Sequence, residues 1–304
     1  MKALLFPLLA VVAALTACSH DAETYVADDP APVQGGDDPL KGVTTDGVTW
    51  DTDAVVGISV WSTGGTTAGF NVPYRRNAAN TAFEPQAAPL YFQDNESVTF
   101  CAYGPYSSTV TAVQPAIVFD TDDQTQQSSY DFVYARGATA SKAGTSLSFD
   151  AASAFRHVMA RMVVTFACGE GISDLTNLSV TLQGAYTQGS FDTFTGTLTP
   201  NVGVTADTTV PLASYASGTT RKSLPLILIP QKRSAPGDCR LAVTLDGENY
   251  TADVDLTEAT GSPLTAGQNL NLQVTVHKTR LTLTATSIEP WTDAGTPESG
   301  TATL

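Results

Sequence analysis

Positive charge, histidine and long apolar runs are all scarce in this sequence. Its 304 residues carry 15 Lys and Arg against 30 Asp and Glu, a formal charge of −15. That balance repels a phosphate backbone, which argues against nucleic acid as a partner. Only three histidines occur, His20, His157 and His277, and no two have the spacing of metal ligands. His20 reads as tether, His277 as a solvent-facing strand residue, and His157 as a structural hydrogen bonder at a strand entry. There is no G-x-S-x-G elbow, phosphate-binding glycine loop, dinucleotide fingerprint or zincin helix. An exported hydrolase would need a carboxylate pair or a Ser/His/Asp set, and nothing nominates one. The chain therefore reads as a non-enzyme that calls for no cofactor and no metal. The acidic cluster Asp120-Thr121-Asp122-Asp123 lacks the glycine and bidentate glutamate of a calcium loop and reads as a solvated turn.

Charged residues make up only 15% of the chain, while hydrophobic ones reach 42%. Thr, Ser, Ala and Gly fill the difference, a recipe that suits extracellular β proteins. The apolar content is enough for one large or two modest cores. No apolar run approaches the about 20 residues of a membrane-spanning helix. The longest, 3–14, follows Lys2 and leads into Leu15-Thr16-Ala17-Cys18. Residues 1–17 thus form a signal peptide with a basic start, an apolar middle and a small-residue cleavage site. The cleavage box resembles the lipobox of bacterial lipoproteins, which implies that Cys18 is diacylated and becomes the mature N-terminus. An ordinary signal peptide that happens to end near a cysteine is the alternative. Several acyl chains would hold the protein at the outer membrane with the rest of the chain outside the bilayer.

Residues 18–42 are polar, acidic and rich in turn formers, as a flexible tether should be. Folded sequence starts within 43–50, and from there short alternating apolar runs recur between Gly, Pro, Asn and Asp clusters. Strands are predicted at 55–61, 97–103, 159–166, 178–182, 224–229, 240–245, 250–256 and 270–276. No window combines a helical apolar period with a capping signal, although 151–156 suits a single short turn. The fold class is all-β with low helix content. Strand spacing suggests two tandem β-sandwich domains, 43–150 and 151–304. The boundary between them falls near 144–155, just after the small, flexible residues 137–144.

Of four cysteines, Cys101, Cys168 and Cys239 remain once Cys18 is lipidated, so at most one bridge forms within the chain. Cys168 with Cys239 is the expected pair because both fall in the second domain, and Cys101 reads as a small buried hydrophobe.

Several segments together resemble the fimbrillin family of Bacteroidales surface lipoproteins, over residues 50–293. They are Asp51-Thr52-Asp53-Ala54-Val55-Val56-Gly57-Ile58, Asn71-Val72-Pro73-Tyr74, Phe83 and Phe100-Cys101-Ala102-Tyr103-Gly104-Pro105-Tyr106. In the second half Phe155-Arg156-His157-Val158-Met159-Ala160-Arg161-Met162-Val163-Val164, Leu264-Thr265-Ala266-Gly267-Gln268-Asn269-Leu270 and Ile288-Glu289-Pro290-Trp291 continue the likeness. The resemblance implies two transthyretin-like, Greek-key sandwiches and a fimbrial (type V pilus) subunit, or a fimbria-associated anchor or tip protein, acting in adhesion. It further implies assembly by strand exchange with other fimbrial subunits of the same or a related type, after a protease removes a first strand. Lys41 is the one Lys or Arg between Cys18 and Arg75, and so the candidate processing site. The segment before Trp50 is poor in strand formers, which tilts the reading from shaft subunit toward anchor, tip or non-polymerising member. The candidate donor lies in 280–304, where Leu281, Leu283, Ala285 and Ile288 alternate; the same residues also read as the last strand of the second sandwich. The alternative function is a non-polymerising surface lipoprotein that binds glycan or a host or bacterial surface protein, with Trp61, Tyr103 and Tyr106 as its aromatic candidates.

Overall fold

The computed structural model describes residues 34–35, 50, 53–61, 66–77, 82–86, 88–149, 151–213, 218–256 and 263–291. The first half supplies β1 (Gln34–Gly35), β2 (Val55–Val60), β3 (Val72–Arg76), β4 (Phe83–Pro85), β5 (Val98–Gly104), β6 (Ala116–Asp120), β7 (Val133–Ala140), β8 (Ser146–Leu147) and β9 (Arg156–His157). The second supplies β10 (Ala160–Cys168), β11 (Ser179–Tyr186), β12 (Gln188–Asp192), β13 (Thr197–Pro200), β14 (Thr205–Thr209), β15 (Thr220–Lys222) and β16 (Leu226–Leu228). It closes with β17 (Arg240–Leu245), β18 (Glu248–Asp253), β19 (Gln268–His277) and β20 (Arg280–Pro290). Helix among the described residues is confined to 3-10 turns at Gln124–Ser129 and Ala151–Ser153, so the chain is all-β.

The N-terminal sheet is antiparallel, in the order β4-β3-β2-β5-β7-β9. Alternation drives Val56, Ile58, Phe100 and Ala102 to one face, where they form a core with Tyr74, Phe92, Phe149 and Phe155. Trp50 closes one side of it, edge-on to Phe83 and Phe155. The first half of the stretch read as flexible is strand: β7 runs through Gly137 to Ala140 and pairs with β5. Gly137 is the extra residue of a bulge opposite Phe100 and Cys101 and has φ +101°, a conformation that needs a residue without Cβ. The glycine therefore marks a bend in a strand and not a linker.

In the second half two sheets face each other. One has the order β15-β10-β19-β20, with β16 also on β10, and the other β14-β11-β17-β18. Met162, Val164 and Phe166 of β10, Val180 and Leu182 of β11, Leu241 and Val243 of β17, and Leu272 and Val274 of β19 fill the space between them. Only β10 and β19 pair in parallel within this sandwich. Strand β11 carries its own bulge at Gly184, φ +78°, where a Cβ would run into the Asp238 carbonyl.

A third sheet joins the halves. Its order is β13-β12-β6, with β6 from the first half and the β12–β13 hairpin from the second. Phe119 and Phe191 project from it into a third core containing Tyr103, Phe132, Met159, Ile227 and Trp291. Phe132 and Phe191 stack with centroids 4.7 Å apart.

Candidate assembly interface

A β fold offers a partner chain its strand edges, and the first and last strands are where this chain could exchange one. At the first, Gln34 and Gly35 of β1 pair in parallel with Ser146 and Leu147 of β8. Leu147 is 1% exposed and belongs to the N-terminal core. A strand thus exists in the segment whose composition offered none. The pairing is made by backbone groups, which side-chain propensity does not report. β1 lies on the N-terminal side of Lys41. Lys41 itself and Cys18 lie outside the described residues.

At the other end β20 runs antiparallel to β19 over its whole length, from Gln268 opposite Pro290 to His277 opposite Arg280, with one irregularity at Asn271/Leu272. It is the edge strand of its sheet. Leu281, Leu283 and Ile288 are partly buried against the chain's own second core. Ala285 faces Leu272 in the register, and its side chain lies outside the described residues. In this structure β20 is therefore the last strand of its own sandwich. On its outer face the Asn271 amide donates to the Ser287 hydroxyl and the Glu289 carboxylate, at 2.9 and 2.7 Å.

Cys168 and Cys239, expected to pair, are free thiols. The register explains why. Cys168 ends β10 near Arg221, whose guanidinium donates to the carbonyls of Leu175 and Leu178 just before β11. Cys239 precedes β17 at the far end of β11, where Arg240 pairs with Gln183. About five residues of strand, roughly 16 Å, separate those ends, beyond the reach of a disulfide. Cys101 is 1% exposed, and burial pushes its thiol up to about 12.

The aromatic candidates form no open platform. Phe194, at the tip of the β12–β13 hairpin, lies 4.4 Å from the Trp61 ring, and the Arg136 guanidinium sits 4.6 Å from the same ring. Tyr103 is buried and donates its hydroxyl to Asn71 Oδ1 at 2.8 Å. Tyr106 is partly buried against the third core.

His157 lies in β9 with Nδ1 3.2 Å from the Asp131 carboxylate. His277 ends β19 and accepts the Glu170 N–H at Nδ1. The acidic turn is occupied by its own hydrogen bonds: Asp123 accepts from the Thr125 N–H and hydroxyl, and Asp120 accepts from the Gln188 amide. Those bonds hold the Asp123 carboxyl below the usual range. Among the described residues no three His, Cys, Asp or Glu side chains converge on a metal-sized site, and no helix is long and apolar enough to cross a membrane.

A family model described as fimbrillin-like matches residues 43–291. The chain belongs to the fimbrillin-like family. Solved structures share the fold of this fimbrillin-like chain. A protein from Bacteroides uniformis assigned to cell adhesion superposes with TM-score 0.65 at 21% identity, covering 87% of this chain and 99% of its own. A second such protein, from Bacteroides ovatus, gives TM-score 0.63 at 22% identity, with 86% and 98% covered. A fimbrial protein from Bacteroides vulgatus gives 0.52 at 13% identity, with 87% and 100% covered. A search of the curated proteins finds no match.

Proposed function

We propose that this fimbrillin-like chain is a surface lipoprotein, anchored to the outer membrane through Cys18, that serves in adhesion as a fimbrial subunit or as a fimbria-associated anchor or tip. Assembly is by strand exchange. In a subunit that joins the polymer, cleavage after Lys41 releases the body from Cys18 and removes β1, leaving the β8 backbone edge unpaired. A second subunit's 280–304 segment, led by Leu281, Leu283, Ala285 and Ile288, satisfies that edge in register. The observation that supports this reading is the position of β1: it pairs with β8 and precedes the one basic residue between Cys18 and Arg75.

The test is N-terminal mass spectrometry of protein taken from the cell surface, with an unboiled gel beside it. Strand exchange expects a start at Gly42 and a ladder of bands, both lost in Lys41→Ala. A diacylated Cys18 start without a ladder would sink the shaft-subunit version and leave an anchoring or glycan- or protein-binding lipoprotein.

A further inference from the structure

The attachment of β20 is uneven along its length. The described apolar side chains of the strand, Leu281, Leu283 and Ile288, are only partly buried. One residue past the strand, Trp291 is 5% exposed. Its ring lies flat on His157, with centroids 3.6 Å apart and planes 8° apart, and the Arg161 guanidinium sits 5.1 Å from its centre. Its N–H donates to the Gly267 carbonyl at 2.6 Å, and the Gly267 N–H donates to the Met159 carbonyl at 2.8 Å. His157 belongs to β9, at the edge of the N-terminal sheet. Trp291 therefore fastens the end of β20 to the other half of the molecule, in the core shared with Phe132 and Met159.

Geometry makes this end decisive. The start of β20 is joined to β19 through the turn between His277 and Arg280, so the strand can peel only from Pro290 backwards. The residues that follow, 292–304, include Gly295, Pro297 and Gly300 and show no apolar alternation. A donor strand from this end of the chain is thus β20 itself and not the tail.

We propose that Trp291 is a lock: seated between His157 and Arg161, it holds β20 in its own sandwich and must leave that seat before the strand passes to a second copy of this chain. The lock rests on the strand-exchange reading for its purpose, and its action on β20 is measured separately. Hydrogen exchange is followed by mass spectrometry on the full chain, wild type and Trp291→Ala, with Trp291→Phe and His157→Ala beside them. The lock expects amides of β20 to exchange at least about tenfold faster in Trp291→Ala, while β5, β10 and β17 keep their protection. His157→Ala gives a smaller selective loss, and Trp291→Phe recovers most of the protection. A fluorescent peptide with the sequence of 280–291 enters Trp291→Ala faster by a similar factor. Unchanged β20 protection overturns the lock, as does a loss spread equally over β5, β10 and β17. Selective freeing of β20 in a protein that forms no ladder supports the lock and overturns strand exchange, whereas a ladder with unchanged β20 protection overturns the lock alone.

Discussion

Replacing Gln124 by alanine is expected to destabilise the protein by about 3 kcal/mol, although the residue belongs to no strand and to no apolar core. Gln124 sits in the 3-10 turn after β6, 9% exposed. Its Nε2 donates to the Thr121 carbonyl at 2.7 Å and the Ile227 carbonyl at 3.1 Å, and its Oε1 accepts the Ile227 N–H at 2.9 Å. The amide thus acts as a strand partner for β16, whose other edge pairs with β10. Ile227 is 3% exposed, so alanine leaves a buried N–H and a buried carbonyl unbonded, each costing roughly 1–3 kcal/mol. In a chain of this size that lowers Tm by roughly 5–6 °C. Urea denaturation followed by tryptophan fluorescence, with calorimetry for Tm, reads the effect. The exposed neighbour Gln126→Ala should change stability by less than about 0.5 kcal/mol. A loss under about 1 kcal/mol for Gln124→Ala would refute the view that this side chain completes the edge of β16.

Three further outcomes follow from burial and backbone. Burial pushes the Cys101 and Cys239 thiols up to about 12, and raises the more open Cys168 less far. At pH 8 a thiol reagent should label Cys168 in the folded protein and the other two only after denaturation, as peptide mapping would read. A raised thiol keeps its proton in the folded chain after the unfolded chain has lost it. Its contribution to stability is therefore complete below the ordinary thiol range and lost as pH climbs toward 12, so urea midpoints should fall across that alkaline window and not below it. Gly184→Ala should cost about 2 kcal/mol or more, because φ +78° and the Asp238 carbonyl both exclude a Cβ; a midpoint unchanged in urea would contradict it.

The strands that could be read from sequence are those with β-branched residues and one buried face. Residues 240–245 are β17 without adjustment, and β2, β5, β10 and β19 lie within two residues of their predicted bounds. The β12–β13 hairpin of the third sheet was illegible for a physical reason, whereas β6, Ala-Ile-Val-Phe-Asp, carries β-branched residues and was missed all the same. β12 reads Gln-Gly-Ser-Phe-Asp and β13 Thr-Leu-Thr-Pro, each with a single large apolar residue. Their place is set by a partner, β6, some 70 residues away in sequence, and tertiary pairing of that kind overrides local propensity. Trp291 was visible only as part of the Ile288-Glu289-Pro290-Trp291 segment that carries the family likeness, and nothing else in the sequence singled it out. Its partner His157 was read correctly as a hydrogen bonder, yet nothing in the spacing of two residues so far apart announced that the rings would stack. The cysteine pairing failed because membership of one sandwich says nothing about which end of it a residue occupies.

The sheet shared between the halves also sets an order of events in time. A chain that emerges from its N-terminus presents Ile117, Val118 and Phe119 long before Phe191 arrives to pair with Ile117. During that interval the first half is a sheet with a raw apolar margin. The same margin would persist for good in a fragment ending near residue 150, which should be far more prone to aggregate than the whole chain. The speed at which the chain emerges, and whatever shelters its early strands, then bear on the yield of this protein as much as its final stability does.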